Sequence, residues 1–561
     1  MPTFGPLPIV FGIIGHRNPR PQDAEGLAEA IEKILSDFRN RYPSTPCAVM
    51  TPLAEGCDWI GARVALRFGA RLIVPLPMNR ELFTQDFETE EKRREFDEIL
   101  DQVDDWFELP NAPGVSRDDI SLPGPDRDNQ YDAVGAYITR NTQILIALWD
   151  GTTNGLVGGT SIVVRYRLEG LPPHYAPDWS PLDPIDNGPV YHIVTPRQGQ
   201  PVPNNPLSTR LLFPPRYEHV EDGERAMRAV LERIEIFNRD AVTTADTLAP
   251  ARRQSISYLL PQEAIDRLTS SQKSLMDYYS VADTMATHFQ RKSHRTLRAL
   301  FIAVFVAVVV FEVYAHIFHD DHWIIGLYLG SLGLAYLWSM FAKRGDYQSK
   351  HLDYRAIAEG LRVQIYWRLA GVPRRAIDYY MRRQRSVMDW IREAMRAWTP
   401  DHLPREEELI AVDDRLRLVS TCWVDSQLEY FRRTLKLDEH ELKRKERSID
   451  LFFFAGLLFA TAQMFLGWGH AMILAMGVLP VVAAMIHGYT EKRALAELVK
   501  QYERLGMIFV NAASYLRNLL KEKRYDEARA LIHEVGVEAL TENGDWVLLH
   551  RERPVDVPKA G

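Results

Sequence analysis

Four long apolar segments place the strongest constraint on what this chain can fold into. They run from Leu297 to Phe318, from Trp323 to Phe341, from Leu451 to Trp468 and from Ala471 to about Ile486. A helix needs about 20 mostly apolar residues to cross a bilayer core of about 30 Å. Because only a short turn separates the members of each pair, the sequence predicts four transmembrane helices in two hairpins. Buried hairpins of a soluble protein remain the alternative.

Basic residues stand at the outer ends of both predicted hairpins and are absent from the turns inside them. They are Arg291, Lys292, Arg295, Arg298, Lys343, Arg344, Lys443, Arg444, Lys445, Arg447, Lys492 and Arg493. Lysine and arginine accumulate on the cytoplasmic side of membrane proteins. The pattern predicts a multi-pass protein of the inner (plasma) membrane, with both termini and residues 346–445 in the cytoplasm.

Glu312 is an acidic residue inside the first apolar segment. An ionisable group at membrane depth is costly and usually faces a bundle interior or a pore. Glu312 is therefore a pore candidate. Because the segment ends at Phe318, a place at the outer interface is the alternative.

Residues 1–295 carry no apolar run of membrane length and instead alternate short apolar runs with helical patterns. The predicted strands are Ile9–Ile14, Cys47–Thr51, Arg71–Pro75, Ile144–Trp149 and Val190–Thr195. The predicted helices are Gln22–Arg41, Asp58–Phe68, Tyr131–Thr142 and Gly159–Leu168. This alternation predicts an α/β Rossmann-like parallel sheet with helices on both faces.

The domain boundaries follow from these patterns. Residues 1–200 form the α/β domain, 201–262 a linker, 263–525 an all-α membrane domain and 526–561 a C-terminal tail. The linker prediction rests on the segment rich in proline and asparagine at 198–217. Within the linker, the sequence predicts a helix over residues 221–241 and irregular structure over residues 242–262. The insertion 346–445 reads as mostly helical.

Three glycine-containing turns follow predicted strands: "GHRNP", "TPLAEGCD" and "DGTTNGLVGGT". The carboxyl ends of parallel strands share one sheet edge, where ligands of such sheets bind. Helix starts there leave amide N–H groups for an anion. The candidate ligand-binding residues are Gly15, His16, Arg17, Glu55, Gly56, Asp58, Asp150, Gly151, Gly158, Gly159 and Thr160.

Each of these residues also has an ordinary structural interpretation. The glycines fit plain turns, and Asp58 and Thr160 fit helix caps. Gly158 and Gly159 permit positive φ and a close backbone approach. In the binding interpretation, Arg17 pairs with phosphates, while Glu55 and Asp58 accept hydrogen bonds from ribose or base. The convergence of three turns at one edge favours binding.

Several function classes lose support. A net charge of −8 argues against a nucleic-acid binder that works by bulk charge. Neither GxGxxG nor GxxxxGK[ST] occurs, which removes the main signals for dehydrogenases and Walker-type NTPases. We predict no cofactor, no metal site and no catalytic residue. The "HDDH" turn from His319 reads as a solvated turn rather than a metal site.

The N-terminal motifs resemble the SLOG superfamily. The matching pieces are "GIIGHR", "TPLAEGCD", "ARLIVPLP", "ILIALWDG" and "GLVGGT", over about residues 8–200. The membrane region, with "RAIAEGLR" after a hairpin, resembles SLATT domains over about residues 270–520. The resemblance implies a nucleotide-derived ligand, cyclic or of the ADP-ribose type. It further implies a homo-oligomer in the lipid bilayer that forms pores or disrupts membranes in anti-phage nucleotide signalling.

One departure from the family separates binding from catalysis. Phosphoribohydrolases of the superfamily carry PGGxGTxxE with a catalytic glutamate, whereas this chain has "GLVGGTSIVVRYR". Val163, Val164 and Arg165 occupy that region, and the next acid is Glu169. The absence of the glutamate favours a sensor. A membrane-tethered phosphoribohydrolase or N-glycosidase, with Glu55 as a substitute acid, stays as the alternative.

Overall fold

The computed structural model describes residues 4–112, 114–153, 157–176, 180, 184–381, 388–398, 409–467 and 469–552. The chain forms two compact units. The first contains Met1–Ala249, Thr269–Tyr278 and Arg374–Glu408, and the second contains Pro250–Leu268, Tyr279–Pro373 and Leu409–Gly561. The first unit therefore extends beyond the predicted domain boundary at residue 200 and includes part of the predicted linker. It also includes part of the predicted insertion 346–445.

The first unit is built on a seven-stranded sheet. Its strands are β1 (Ile9–Gly15), β2 (Cys47–Met50), β3 (Arg71–Leu76), β4 (Asp105–Glu108), β5 (Ile144–Trp149), β6 (Val190–Val194) and β7 (Thr209–Leu212). The order is β4-β3-β2-β1-β5-β6-β7. All pairs are parallel except β6–β7. The predicted α/β sheet is thus confirmed as a mainly parallel, mixed sheet.

The strand order reverses between β1 and β5. β1 pairs with β2 on one side and with β5 on the other, with Gly15 opposite Leu148. The helices that follow these two strands leave toward opposite faces in such a topology, which opens a crevice at the carboxyl ends of the strands. Both strands are almost wholly buried, as expected for central strands covered on two faces.

Seven helices lie in the first 243 residues and one further helix of the first unit lies beyond them, counting described residues only. They are α1 (Ala24–Arg41), α2 (Cys57–Phe68), α3 (Arg80–Phe83), α4 (Glu90–Leu100), α5 (Pro125–Asn141), α6 (Thr160–Glu169), α7 (Val220–Thr243) and α13 (Asp389–Trp398). The buried face of α1 follows helical spacing through Leu27, Ile31, Leu35 and Phe38. α5 begins six residues before the predicted Tyr131, because Pro125 starts its first turn.

The second unit is helical. Its helices are α8 (Ala245–Leu259), α9 (Gln262–Asp266), α10 (Ser270–His316), α11 (Trp323–Gly345), α12 (Tyr347–Ala370), α14 (Val412–Val419), α15 (Ser426–Leu466), α16 (His470–Lys492), α17 (Leu495–Lys521) and α18 (Tyr525–Arg551). α8 and α10 begin in residues of the first unit. A π-helical stretch, Ser420–Asp425, joins α14 to α15.

Four helical stretches are long and apolar enough to cross a membrane: Ser270–His316, Trp323–Ala370, Val412–Leu466 and His470–Lys521. Their apolar windows are mostly exposed, and Phe465 is 77% accessible. In water such exposure is unfavourable, whereas in lipid it costs nothing. The predicted apolar segments fall on these helices, except that Trp468 lies outside the described residues.

Two predicted boundaries are corrected by helices. Residues 242–262, predicted irregular, contain α8, while the predicted helix at 221–241 is confirmed as α7. Residues 526–551, predicted as part of a tail, form α18, which packs on α12 and buries Ile532 and Leu540. Residues 553–561 lie outside the described part of the chain.

The end of α17 offers a stability test, because Lys523 has a left-handed backbone with φ of 58°. Its N–H donates to Leu520 O and the Arg524 N–H donates to Leu519 O, the two bonds of a Schellman motif. Glycine occupies this position without the steric cost of a Cβ. Because Lys523 is exposed, we expect Lys523→Gly to raise the free energy of unfolding by about 1 kcal/mol. Thermal unfolding measures this, and Lys523→Ala, which retains the Cβ, should give no such gain.

Candidate functional site

A cavity of about 660 Å³ opens at the carboxyl ends of β1 and β5 in the first unit. The loops after β1, β2, β3 and β5 line it, together with the first turns of α5 and α6. Ligand pockets in proteins commonly have this volume. The cavity lies where the reversal of strand order predicts a binding crevice.

The predicted site residues divide into two groups. Gly15, His16, Arg17, Asp58, Gly158, Gly159 and Thr160 line the cavity. Glu55, Gly56, Asp150 and Gly151 stand outside its lining, in the same loops. Glu55, the proposed substitute acid, forms an ion pair with Lys92, whose Nζ lies 2.6 Å from Oε1.

Gly56 serves the packing of two loops. Its φ is 89°, and a Cβ there would lie 2.4 Å from the carbonyl oxygen of Arg17. The next residue, Cys57, donates its N–H to the carbonyl oxygen of His16 at 3.0 Å. The β1 and β2 loops therefore touch through their backbones. Glycine at 56 is required for that contact.

His16 is held by the β5 loop. The Asp150 N–H donates to His16 Nε2 at 3.0 Å, so the ring accepts at that nitrogen. Burial lowers the pKa of His16, Asp150 acts to raise it, and the charge of Arg197 lowers it further. For Asp150, burial acts to raise the pKa, but hydrogen bonds from Thr152 and the charge of His16 hold it below the usual value. A neutral His16 beside an ionised Asp150 follows at neutral pH.

The N-terminus of α6, where the sequence predicts an anion site, lies at the cavity. Gly159 is the N-cap, with φ of −75° and ψ of 155°, and no side chain caps the helix. Thr160 is thus the first helical residue and not a cap. Of the two neighbouring glycines, Gly158 has a positive φ of 70° and Gly159 does not. Gly158 packs against the backbone of α5 at Tyr131 and Asp132. The N–H groups of Thr160 and Ser161 stand before the first intrahelical acceptor, whereas the Ile162 N–H donates to the carbonyl oxygen of Gly159 at 2.9 Å.

Three arginines border the cavity. Arg17 is exposed, lies over the ring of Tyr131 at 4.6 Å and forms no ion pair with any described residue. Arg197 lies 3.7 Å from Asp150 Oδ2. Arg127 is buried and donates to Ile120 O, Leu82 O and Asp86. Arg127 therefore holds loops together, whereas Arg17 is available to an anion.

Two buried polar atoms of the lining have no hydrogen-bond partner among the described residues. They are Asp58 Oδ1 and Ser161 Oγ. Asp58 is 2% exposed, and its Oδ2 accepts the Ala54 N–H at 3.2 Å. Burial raises the pKa of Asp58 to about 8, although the hydrogen bond from Ala54 and the charge of Arg17 act to lower it. Unpartnered buried polar atoms are rare and point to an interacting molecule.

Sequence reasoning missed Arg127, Tyr131, Ser161 and Arg197 as lining residues. Gly124 and Pro125 were the available signal for the first turn of α5, since Pro favours that position. Ser161 was within reach as the neighbour of Thr160. No sequence motif around Arg197 indicates a binding residue. Arg197 follows β6 and lines the cavity because β6 lies next to β5 in the sheet.

Glu312 lies in the second unit. Its Oε2 is 3.3 Å from His316 Nδ1, and the side chain is 20% exposed. A Cβ on Gly477 of α16 would lie 2.9 Å from the same oxygen. Glu312 thus lies close to α16, four residues before the end of α10 at His316.

The comparisons with known proteins stand beside this geometry. No protein-family model matches the chain, and no curated protein is significantly similar to it.

Proposed function

We propose that this protein is a membrane effector whose N-terminal α/β unit senses a nucleotide-derived signal, cyclic or of the ADP-ribose type. The observation that carries the proposal is the cavity at the β1/β5 crossover. It combines the N-terminus of α6, an arginine without an ion pair to any described residue and a buried carboxyl with one oxygen that has no partner among them. Helix N-termini and arginine bind phosphates, and a carboxyl group binds ribose or base donors.

The residues of α6 support binding without hydrolysis. Val163 and Val164 pack in the hydrophobic core with Val134, Ile138 and Leu145. Val163, which takes the place of the glutamate in GTxxE, also lines the cavity, so the site has an apolar side chain where the hydrolase motif has an acid. The helix that carries the catalytic acid in the related hydrolases thus serves here as a packing element.

The second unit is the proposed effector. Its four apolar helices form two membrane hairpins, with the termini and the insertion in the cytoplasm according to the flanking lysines and arginines. In a homo-oligomer, Glu312 faces a pore through the inner membrane or the site where the bilayer is disrupted. A ligand opens such a structure only if it binds the open state more tightly than the closed one. The physiological setting we propose is anti-phage defence by nucleotide signalling.

Dye release from liposomes tests the function directly. Full-length protein is reconstituted and exposed to ADP-ribose and to cyclic dinucleotides. We expect at least one of them to raise the release rate tenfold or more, because ligand binding shifts the equilibrium toward the open state.

Adenosine is the matched control ligand, since it lacks the phosphate that α6 and Arg17 would bind, and it should leave the rate unchanged. Release that is the same with and without every nucleotide tested would contradict the effector proposal.

One observation favours an enzyme as the second candidate. Asp58, with its pKa raised to about 8, is protonated at neutral pH and can donate a proton to a departing base. Incubation of the full chain with nucleoside monophosphates, followed by chromatography for free base and ribose phosphate, tests this function. Product that disappears in Asp58→Asn supports the enzyme; no product from the unmodified protein rules it out.

A further inference from the structure

A second cavity lies in the first unit at the opposite end of the sheet. Its volume is about 640 Å³, and it is lined by Gln143 and Ile144 at the start of β5 and by Gly188 and Pro189 before β6. These residues stand at the amino ends of the strands. This cavity is therefore separate from the nucleotide site, and α6 reaches both, with Ser161 in the first and Arg167 in the second.

Most of the wall of this cavity is apolar. It is formed by Phe213 after β7, by Met227, Val230 and Ile234 of α7, and by Trp390 of α13. α13 is anchored to the sheet unit: Arg396 donates to the carbonyl oxygen of Arg140, and Trp398 Nε1 donates to the carbonyl oxygen of Pro6. The wall is thus a built feature of the first unit and suits an apolar ligand body.

One side of the cavity carries a buried positive charge. Arg167 is 2% exposed and donates to the carbonyl oxygens of Thr139 and Gln143. Its Nε has no hydrogen-bond partner in the described part of the chain. Burial, and then the charge of Arg396, lower the pKa of Arg167 to about 10. The charges of Glu393 and Asp186 act on Arg167 in the opposite direction, but neither carboxylate forms a salt bridge with this guanidinium, so it lacks the direct ion pair that a buried charge normally has.

Arg392, a residue of α13, is a second buried arginine in the lining of this cavity. It is buried and donates to the carbonyl oxygens of Ile377 and Tyr380, with no carboxylate partner among the described residues. The nearby carboxylates are engaged elsewhere: Asp186 and Glu393 lie 2.7 Å and 3.1 Å from Arg396. Two buried guanidinium groups in the lining thus form no salt bridge with a described carboxylate, although Glu393 and Asp186 act on Arg167, and Asp378 interacts with Arg392, through charge at longer range.

We propose that this cavity binds an amphiphile with one anionic head, a carboxylate or a phosphate, and an apolar body of fatty-acid size. Arg167 and Arg392 hold the head through charge-assisted hydrogen bonds. The apolar residues of α7 and α13 bury the body. The cavity lining contains three carboxylates, Asp186, Asp389 and Glu393, and four arginines, Arg167, Arg216, Arg233 and Arg392. The excess of positive charge in the lining favours an anionic ligand.

Photo-crosslinking of the full chain in lipid nanodiscs tests the proposal. The probe is dodecanoate with a diazirine near the chain end, and mass spectrometry maps the labelled peptides. We expect labels in α7 and α13, and dodecanoate or dodecyl phosphate should reduce them at least tenfold more effectively than dodecanol. Preference between the two anions identifies the head, while equal competition by dodecanol overturns the proposal.

Two variants on α7 form a matched pair. Val230→Trp fills the cavity and should lower labelling of α7 and α13 at least tenfold. Val220→Trp makes the same change at an exposed position outside the lining and should leave labelling unchanged. Arg167→Gln should remove the preference for anions over dodecanol. Labels confined to the apolar helices of the second unit would show probe in the bilayer only and would refute the site.

Discussion

Gly159→Asp is expected to abolish nucleotide binding while leaving the fold intact. Gly159 is the N-cap of α6 and has an extended backbone that any residue adopts. Aspartate is a favourable N-cap and interacts well with the helix dipole, so the helix should not be weakened. Its carboxylate, however, occupies the site proposed for a phosphate. The repulsion between this carboxylate and a bound phosphate is worth about 3 kcal/mol or more. We therefore expect the affinity for the nucleotide to fall at least a hundredfold.

The measurement is thermal stabilisation of the full chain by ADP-ribose and by cyclic dinucleotides, titrated for each variant. Binding to the folded form raises the unfolding temperature in proportion to affinity. Gly159→Asn is the matched control, because it has the same shape and capping ability without the charge. Equal loss in both variants would assign the effect to size rather than to anion repulsion. An unchanged affinity in Gly159→Asp would place the ligand elsewhere.

Asp58→Asn is expected to remove a large pH dependence of stability. The pKa of Asp58 rises from 3.8 to about 8 on folding because the carboxyl is buried. The folded state thus binds a proton that the unfolded state has released. The contribution of the group is fully present below pH 3.8 and is lost as the pH rises through 8. The difference corresponds to about 6 kcal/mol.

Unfolding midpoints of both proteins between pH 4 and pH 8 check this result. The unmodified protein should lose stability across the range, and Asp58→Asn should lose much less, since an amide oxygen still accepts the Ala54 N–H. Asp150→Asn is the control, because the pKa of Asp150 is lowered from 3.8 and its contribution is lost only below that pH; between pH 4 and pH 8 this variant should keep the slope of the unmodified protein. Parallel pH profiles for Asp58→Asn and the unmodified protein would show that Asp58 is ionised in the fold.

Five strands were predictable because each is a short apolar run between turn residues. β4 was missed because "DWFE" is a polar edge strand, and β7 because it lies in a segment rich in proline and asparagine. Their pairing supplies the stability that their own composition lacks. The same logic explains α8 and α18, which pack on other helices.

The part of the candidate site that is formed by the loops after the parallel strands was predictable from the sequence. Parallel strands bring their following loops together, so the glycine turns after β1, β2 and β5 had to meet at one edge. Which side of each loop faces the cavity depends on packing, and this is why Gly56 supports a loop contact while Gly159 lines the cavity. Arg197 enters from a strand whose place in the sheet cannot be read locally.

By itself the sequence determined the four apolar helices and the alternating sheet, because hydrophobic length and periodicity are local properties of a chain. It also determined that no acid follows Thr160 within the first two turns of α6. Only the tertiary structure decided that Asp58 is buried, which raises its pKa, that residues 374–408 belong to the first unit and that Arg167 and Arg392 line a second cavity. Burial and charge pairing arise from residues far apart in the chain, and only the folded molecule brings them together.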